Sequence, residues 1–479
     1  MKNILSFLLC FLTTSVFTQS LSEKLNLAIQ QLSTDTNLTA ATIGVCVKEV
    51  KTNRILVNYN AEKNFVPASL QKIPLTAIAL QQLGSNYTFK TYLLRTGTLT
   101  NGILNGNIYL VGGGDPTLGS ERFAATHPDT LFEKWVKVIK ENGIHTINGN
   151  IYFDASFFDS HPLNDAWMWG DVGNYYGAGA LGFSWHENMF VVNMLPADSI
   201  GRKAVLSSVY PPLPPDIILY NEVNTVKNGV ESYLMIYGDS YSKQREICGN
   251  INIAVNKIPL SAKGALPMPG YVCAWNFKNF LQTKGISIAD AIYPIDVDTL
   301  DAKMDTVYVN HSPSLSVIVN HINKTSNNVY AEAVFKLLGK GSYAGGASAI
   351  KAGLARMGIE TNSINIVDGS GLSSVNFISP FALCEVLYNV STKSYYPEYF
   401  RSLSQAGVSG TLRNVLKNKP KGSNIYGKSG TMTGVRAYAG YAINAKGETY
   451  CFVFIVNNFT CQSALVKEKL ENILLLLVE

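Results

Sequence analysis

Apolar and polar residues alternate along residues 41–49 and 55–59, with Lys51-Thr52-Asn53 between them, which predicts two antiparallel strands joined by a turn. After Phe65 the pattern changes. Pro67 and Ala68 lead into a turn, and the apolar run Ile73, Leu75, Ala77, Ile78 and Leu80 predicts a buried helix. Pro74 suits the opening of that helix after a tight turn, because the first helical N–H groups have no partners there anyway. Towards the C-terminus, residues 436–443 and 449–457 read as a hairpin across Asn444-Ala445-Lys446-Gly447. Residues 463–477 read as a helix, apolar at Leu465, Val466, Leu470, Ile473, Leu474 and Leu477. It is too short to span a bilayer and lacks a basic polar face, so packing on a sheet is expected.

Between these ends the segments Leu104-Asn105-Gly106-Asn107-Ile108-Tyr109 and Ile147-Asn148-Gly149-Asn150-Ile151-Tyr152 resemble each other and suggest a β-rich unit. Tyr210-Pro211-Pro212-Leu213-Pro214-Pro215 is a stiff loop within that region. The cluster Trp167, Trp169, Tyr175 and Tyr176 either packs internally or stacks on sugar rings. With 479 residues, 47% hydrophobic and 15% charged, the chain is a well-buried globular protein of two or three domains.

Lys2, the apolar stretch over residues 4–17 and polar Thr18-Gln19-Ser20 read as a secretory leader over residues 1–19, shorter than the roughly 20 residues a spanning helix needs. Cys10 lies inside the apolar core rather than after a small-residue lipobox, which argues against lipidation. Beyond the leader stand Cys46, Cys248, Cys273, Cys384, Cys451 and Cys461, which an oxidising compartment would allow to pair but whose apolar surroundings suit free thiols equally. No Cys-x-x-Cys occurs and the histidines lack ligand spacing, so neither metal nor cofactor is expected. The net charge is +5, without a basic run to track a nucleic-acid backbone, and nucleic acid is not an expected partner.

Three short motifs stand in one order: Ser69-Leu70-Gln71-Lys72, Ser326-Asn327-Asn328 and Lys428-Ser429-Gly430-Thr431. Residues i and i+3 share one face of a helical turn, so Lys72 Nζ can reach Ser69 Oγ and deprotonate it. That role needs a neutral amine, which burial and a second nearby cation, with Lys428 the candidate, would supply. Ser326 offers a hydroxyl to relay protons, Asn328 an amide to hold a substrate backbone, and Lys428 a cation for a carboxylate. Lys428-Ser429-Gly430 is the only Lys-Ser/Thr-Gly in the chain, and it leads into the predicted hairpin, where a strand edge suits an extended substrate. Each motif alone is weak. Ser-x-x-Lys recurs from Ser240 to Lys243 and from Ser348 to Lys351, and Ser-x-Asn from Ser363 to Asn365 and from Ser374 to Asn376. Order and context together point to acyl transfer.

With these motifs the chain resembles the penicillin-binding proteins and serine β-lactamases. Among them it most resembles the D-alanyl-D-alanine carboxypeptidases of peptidase family S13, the penicillin-binding protein 4 type of low-molecular-mass class C. Pro67-Ala68-Ser69, Gly112-Gly113-Gly114-Asp115-Pro116-Thr117-Leu118, His311-Ser312-Pro313, Ala331-Glu332 and Asp368-Gly369-Ser370-Gly371-Leu372-Ser373 carry the closer match. It covers essentially the whole mature chain and is loosest at residues 155–265.

The gap from Ser69 to Ser326 exceeds a whole average domain, so something is inserted between two walls of one cleft. The resemblance implies an α/β (α+β) fold: a β-lactamase/transpeptidase-like domain with an antiparallel sheet flanked by helices. Residues 20–90 and 294–479 would form it, interrupted by a β-rich insert over 91–293 with a nested insertion at about 155–265. It also implies a serine DD-peptidase acting on peptidoglycan stem peptides, as a carboxypeptidase and possibly an endopeptidase, with β-lactam antibiotics as covalent inhibitors. Ser69, Lys72 and Ser326 would be catalytic, and Asn328, Lys428, Ser429 and Thr431 would bind substrate. The backbone N–H groups of Ser69 and Thr431 would form the oxyanion hole. A β-lactamase or esterase on the same fold, or a noncatalytic β-lactam or glycan binder, is the alternative. The mature chain would contain no integral membrane segment and act in the periplasm or outside the cell. The sequon Asn323-Lys324-Thr325 abuts Ser326, where a glycan would crowd the cleft, which favours a bacterial exported protein.

Overall fold

The computed structural model describes residues 19–254, 258–288, 291–295 and 303–479, so the leader expected over residues 1–19 lies outside it apart from its last residue. Both predicted hairpins form within one antiparallel sheet. Its strands are β1 (Thr42–Glu49), β2 (Ile55–Tyr59), β3 (Ile425–Met432), β4 (Val435–Ile443) and β5 (Thr449–Asn457), in the order Ser404–Gln405, β3, β4, β5, β1, β2. Strand β5 is buried on both faces, which explains its unbroken apolar run: Cys451, Val453 and Ile455 enter one core, Phe452, Phe454 and Val456 the other.

Helices cover both faces. They are α1 (Leu21–Ser33), α2 (Lys72–Leu83), α3 (Leu315–Thr325), α4 (Asn328–Leu338), α5 (Pro380–Ser391) and α6 (Ser463–Leu476). Helix α1 starts at a capping box in which Ser20 and Glu23 satisfy each other's backbone N–H, and it buries Leu25, Ile29 and Leu32. With α6, which buries Val466, Leu470, Ile473 and Leu474, it closes the Phe454 face, so the C-terminal helix packs on the sheet as expected. The other four helices share the core on the Val453 face, and α2 presents Ile73, Leu75 and Ile78 to it, with Leu70 of the preceding turn. No helix among the described residues is long and apolar enough to cross a membrane.

The region between α2 and α3 builds its own sheets around a second core. Strand Lys90–Arg95 lies between Ile108–Val111 and Asp305–His311, with Asn310 opposite Thr91. The return to the catalytic half, expected at residue 294, therefore comes only after His311. The last strand carries Asp305, Tyr308 and Asn310 on a half-exposed ribbon whose apolar alternation is too faint to read. The two similar segments pair in parallel and in register, Leu104 on Ile147 and Tyr109 on Tyr152. A third copy, Ile288 and Ile292-Tyr293, joins the same two ladders. Tyr109, Tyr152 and Tyr293 form a stack with centroid spacings of 5.0 and 5.6 Å.

Within residues 155–265 two further three-stranded sheets form, one centred on Met189–Leu195 and one on Gln244–Asn252. The six described cysteines are free; Cys46, Cys384 and Cys451 lie buried in the catalytic core. In the aromatic cluster Trp167 is buried and donates to Asp368 at 2.9 Å, whereas Trp169 is 61% exposed.

Candidate active site

Ser69 lies on a tight 3-10 turn, Ala68–Gln71, that runs directly into α2 at Lys72. Ala68 takes a left-handed backbone (φ 47°), which aims the turn at the sheet edge. The three motifs converge. Lys72 Nζ lies 3.2 Å from Ser69 Oγ, 2.8 Å from Asn328 Oδ1 and 2.6 Å from the Ser370 carbonyl, and its side chain is fully buried. The second and third oxygens can only accept, so Lys72 donates an N–H to each. Once Lys72 loses a proton, its two remaining N–H bonds are held by Asn328 and Ser370, and the lone pair faces Ser69. Burial brings the Lys72 pKa down to about 7, against the opposing pull of Glu332 and Asp368.

Lys428 on β3 donates to Ser326 Oγ at 2.9 Å and to the Ser429 carbonyl at 2.7 Å. Burial pushes it well below the usual lysine range, with the Lys72 charge adding to the effect. Burial is the first cause at both lysines, and the repulsion between the two cations is mutual, so neither readily carries a charge while the other does. Ser326 caps α3 in a left-handed conformation (φ 60°), turning its hydroxyl away from the helix towards Lys428. Asn327 caps α4 by accepting from Tyr330 N–H, which fixes Asn328 at the first helical position. Asn328 Nδ2 donates to the Tyr176 carbonyl at 2.9 Å, so a residue of the insert orients the amide.

Gly430 has a steric purpose: a Cβ there would stand 2.6 Å from the Pro67 carbonyl, so only glycine lets β3 close on the Ser69 turn. Strand alternation puts Ser429 and Thr431 on the face opposite Lys428. Thr431 is exposed, and its hydroxyl accepts from Arg436 Nη1 at 3.0 Å across the β3–β4 ladder.

Sequence reasoning gave no role to the groups behind Lys72. Glu332, on a buried apolar face of α4, accepts from the Gly369 and Ser370 N–H groups at 2.9 and 2.7 Å. Asp368 accepts from Gly371 and Ser373 N–H and from the Trp167 and Asn376 side chains. Together they shape the 368–373 loop so that the Ser370 carbonyl meets Lys72. Burial, then the mutual repulsion of the carboxyls, raises Glu332 to about 8. The readable signal was a lone Glu inside an apolar helical run beside a Gly-Ser-Gly turn.

Glu187 of the insert was also missed. His186, Glu187 and Asn188 are three consecutive left-handed residues, at φ 53°, 57° and 51°. Glu187 Oε1 accepts from Ser120 Oγ and Arg122 Nε at 2.7 Å and from Tyr330 Oη at 3.0 Å, and its other oxygen faces Asn327 Nδ2 at 3.5 Å. The strained segment thus supports the second motif from the insert side. Among the described residues, no group of three His, Cys, Asp or Glu side chains is arranged to hold a metal ion.

The solved structure of penicillin binding protein 4 (dacB) from Haemophilus influenzae matches with a TM-score of 0.81 at 23% identity, covering 95% of this chain and 99% of that one; the likeness is one of fold. In sequence the chain is 24% identical over 430 residues to the D-alanyl-D-alanine carboxypeptidase DacB of that organism, covering 87% of this chain and 86% of the relative. It is 26% identical over 453 residues to the D-alanyl-D-alanine carboxypeptidase of Actinomadura sp. (strain R39), covering 90% and 80%. The model of the D-Ala-D-Ala carboxypeptidase 3 (S13) family matches residues 25–477, a span that holds all three motifs, and the chain belongs to that family.

Proposed function

We propose that Ser69 is the nucleophile of an exported serine DD-peptidase that releases the terminal D-Ala of peptidoglycan stem peptides, and that penicillin acylates the same hydroxyl. The contact of buried Lys72 Nζ with Ser69 Oγ at 3.2 Å carries this reading, since it joins a nucleophile to an amine whose pKa burial brings down to about 7, within reach of its neutral form. Neutral Lys72 takes the Ser69 proton as Oγ attacks the carbonyl of the penultimate D-Ala. The oxyanion forms between the backbone N–H groups of Ser69 and Thr431, which the close approach at Gly430 supports.

Asn328 keeps one lone pair of Oδ1 for a substrate N–H while the other receives Lys72. Ser326, held by Lys428, passes a proton to the departing amine of the terminal D-Ala. The substrate carboxylate docks at the β3 edge beside Lys428, with Ser429 and Thr431 contributing through the strand's backbone, and its negative charge favours the protonated form of Lys428. Water then hydrolyses the acyl-enzyme, with Lys72 again the base. The same attack would open a cross-link between D-Ala and a diamino acid, since the acyl half is the same. The leader-like residues 1–19 support export to the periplasm or beyond the cell. Digestion of a synthetic stem pentapeptide tests the assignment: wild type releases D-Ala and Ser69→Ala does not. Equal release by both would refute it.

A further inference from the structure

One sheet of the nested insertion keeps a face open to solvent. Its strands Ile218–Val226 and Tyr233–Tyr237 flank Gln244–Asn252 on either side. Val223, Ile236, Ile247 and Ile251 turn inward to the second core, so strand alternation sends the intervening side chains outward. The register sets Tyr220 and Tyr237 on either side of Glu246, and Tyr233 beside Asn250 and Asn224 two rows further along. Tyr220 is 47% and Tyr233 52% exposed.

The groups between the rings limit what this face can take. Its charged members are both acids: Glu222 is ion-paired with Lys203, and Glu246 accepts from Cys248 Sγ at 3.2 Å. An anionic polymer or lipid headgroup therefore finds no free counter-charge on it. The side-chain amides of Asn224, Gln244 and Asn250 make no hydrogen bond among the described residues. The length from Gln244 to Asn250 and two gaps between strands give a face of about 20 by 10 Å, about a quarter of the roughly 800 Å² that a stable protein partner covers. A narrow strip of rings with free amides between them suits the apolar ring faces and the hydroxyls of a sugar chain.

The face also leads to the cleft. A Cβ on Gly173 would stand 2.6 Å from Tyr237 Cα, and Asn174 Oδ1 accepts from the Ile236 N–H at 3.4 Å. The same segment ends at Tyr176, whose carbonyl holds Asn328. The Tyr237 end of the face is thus joined to the catalytic cleft through residues 173–176.

We infer that this face binds the glycan strand from which the stem peptide hangs, with Tyr220 and Tyr233 stacking on sugar rings while Asn224, Gln244 and Asn250 bond their hydroxyl or acetamido groups. The inference rests on the function proposed above and gives the insert a role in substrate choice, favouring glycan-linked peptides over free ones.

Two measurements on the full chain test it: calorimetric binding of peptide-free glycan strands, and D-Ala release from a stem pentapeptide either free or linked to polymeric glycan. Wild type should bind the strands. The double variant Tyr220→Ala and Tyr233→Ala should weaken that binding and lower kcat/KM on the glycan-linked peptide, each about three- to tenfold, while the free pentapeptide is cut at the wild-type rate. Tyr220→Phe with Tyr233→Phe keeps the rings and should behave as wild type. No strand binding by wild type, no loss in the alanine variant, or an equal loss on both peptides overturns the glycan face. A wild-type dimer that the alanine variant dissolves, without strand binding, overturns it in favour of a second copy. Failure of wild type to release D-Ala from the free pentapeptide overturns the Ser69 reading, whereas strand binding needs no catalysis and still decides the face.

Discussion

Lys72 is held at a pKa of about 7 by burial and keeps three oxygen neighbours, so modest changes in pH decide whether it is a cation or a base. In the proposed reaction, acylation by penicillin needs the neutral form. Its second-order rate should rise about tenfold per pH unit below roughly pH 7 and level off above, in stopped-flow or labelling measurements. A flat profile across that range would remove Lys72 as the base. Lys72→Arg keeps a charge but cannot deprotonate, and should slow acylation by about a hundredfold or more.

Asp115 titrates with the opposite consequence, for stability rather than chemistry. Burial raises its pKa to about 6, against hydrogen bonds from Thr117. The folded state thus binds its proton more tightly than the unfolded chain. That contributes stability fully present below about pH 4 and lost as the pH rises through about 6, roughly 3 kcal/mol in all. In Asp115→Asn that dependence of the denaturation midpoint should disappear.

The 368–373 loop shows at the level of elements what single residues cannot. Gly371 sits at φ 78°, and a Cβ there would lie 1.8 Å from the Ala68 carbonyl, so the loop and the nucleophile turn touch backbone to backbone. Gly371→Ala should lower the unfolding free energy by about 2 kcal/mol or more and slow acylation as well, because it displaces both Ser69 and the Ser370 carbonyl that orients Lys72. A denaturation curve and an acylation rate both like wild type would contradict this.

The hairpins β1–β2 and β4–β5 were legible because alternation and turn residues agree. The three motifs were legible because acyl transfer needs those groups in that order. The role of the carboxylate pair Glu332 and Asp368 was not, since a lone Glu in an apolar helical run marks a buried acid but not the loop, 37 residues further on, that it orders. The third copy of the Ile-Tyr ladder was hidden by its distance along the chain, and only the register of the ladders shows it.

Across the whole molecule, the insert is part of the site rather than an appendage. Tyr176 orients Asn328, Trp167 engages Asp368, and Glu187 reaches Tyr330 and Asn327 from a left-handed segment. An insert that merely hung from the catalytic half would make no such contacts, and its loose match in sequence gave no hint of them. Glu187→Gln keeps the shape but removes the charge that Arg122 and the hydroxyls share. It should lower the acylation rate by about tenfold while the circular dichroism spectrum stays the same. A rate equal to wild type would mean that the insert holds the second motif by other contacts.

The central claim, that Ser69 is the acylated hydroxyl of this S13 peptidase, is tested most directly by mass spectrometry of the purified protein after incubation with penicillin and proteolysis. The predicted result is one drug adduct on the peptide containing Ser69, absent from Ser69→Ala. An adduct on any other residue, or an adduct that persists in Ser69→Ala, would contradict it.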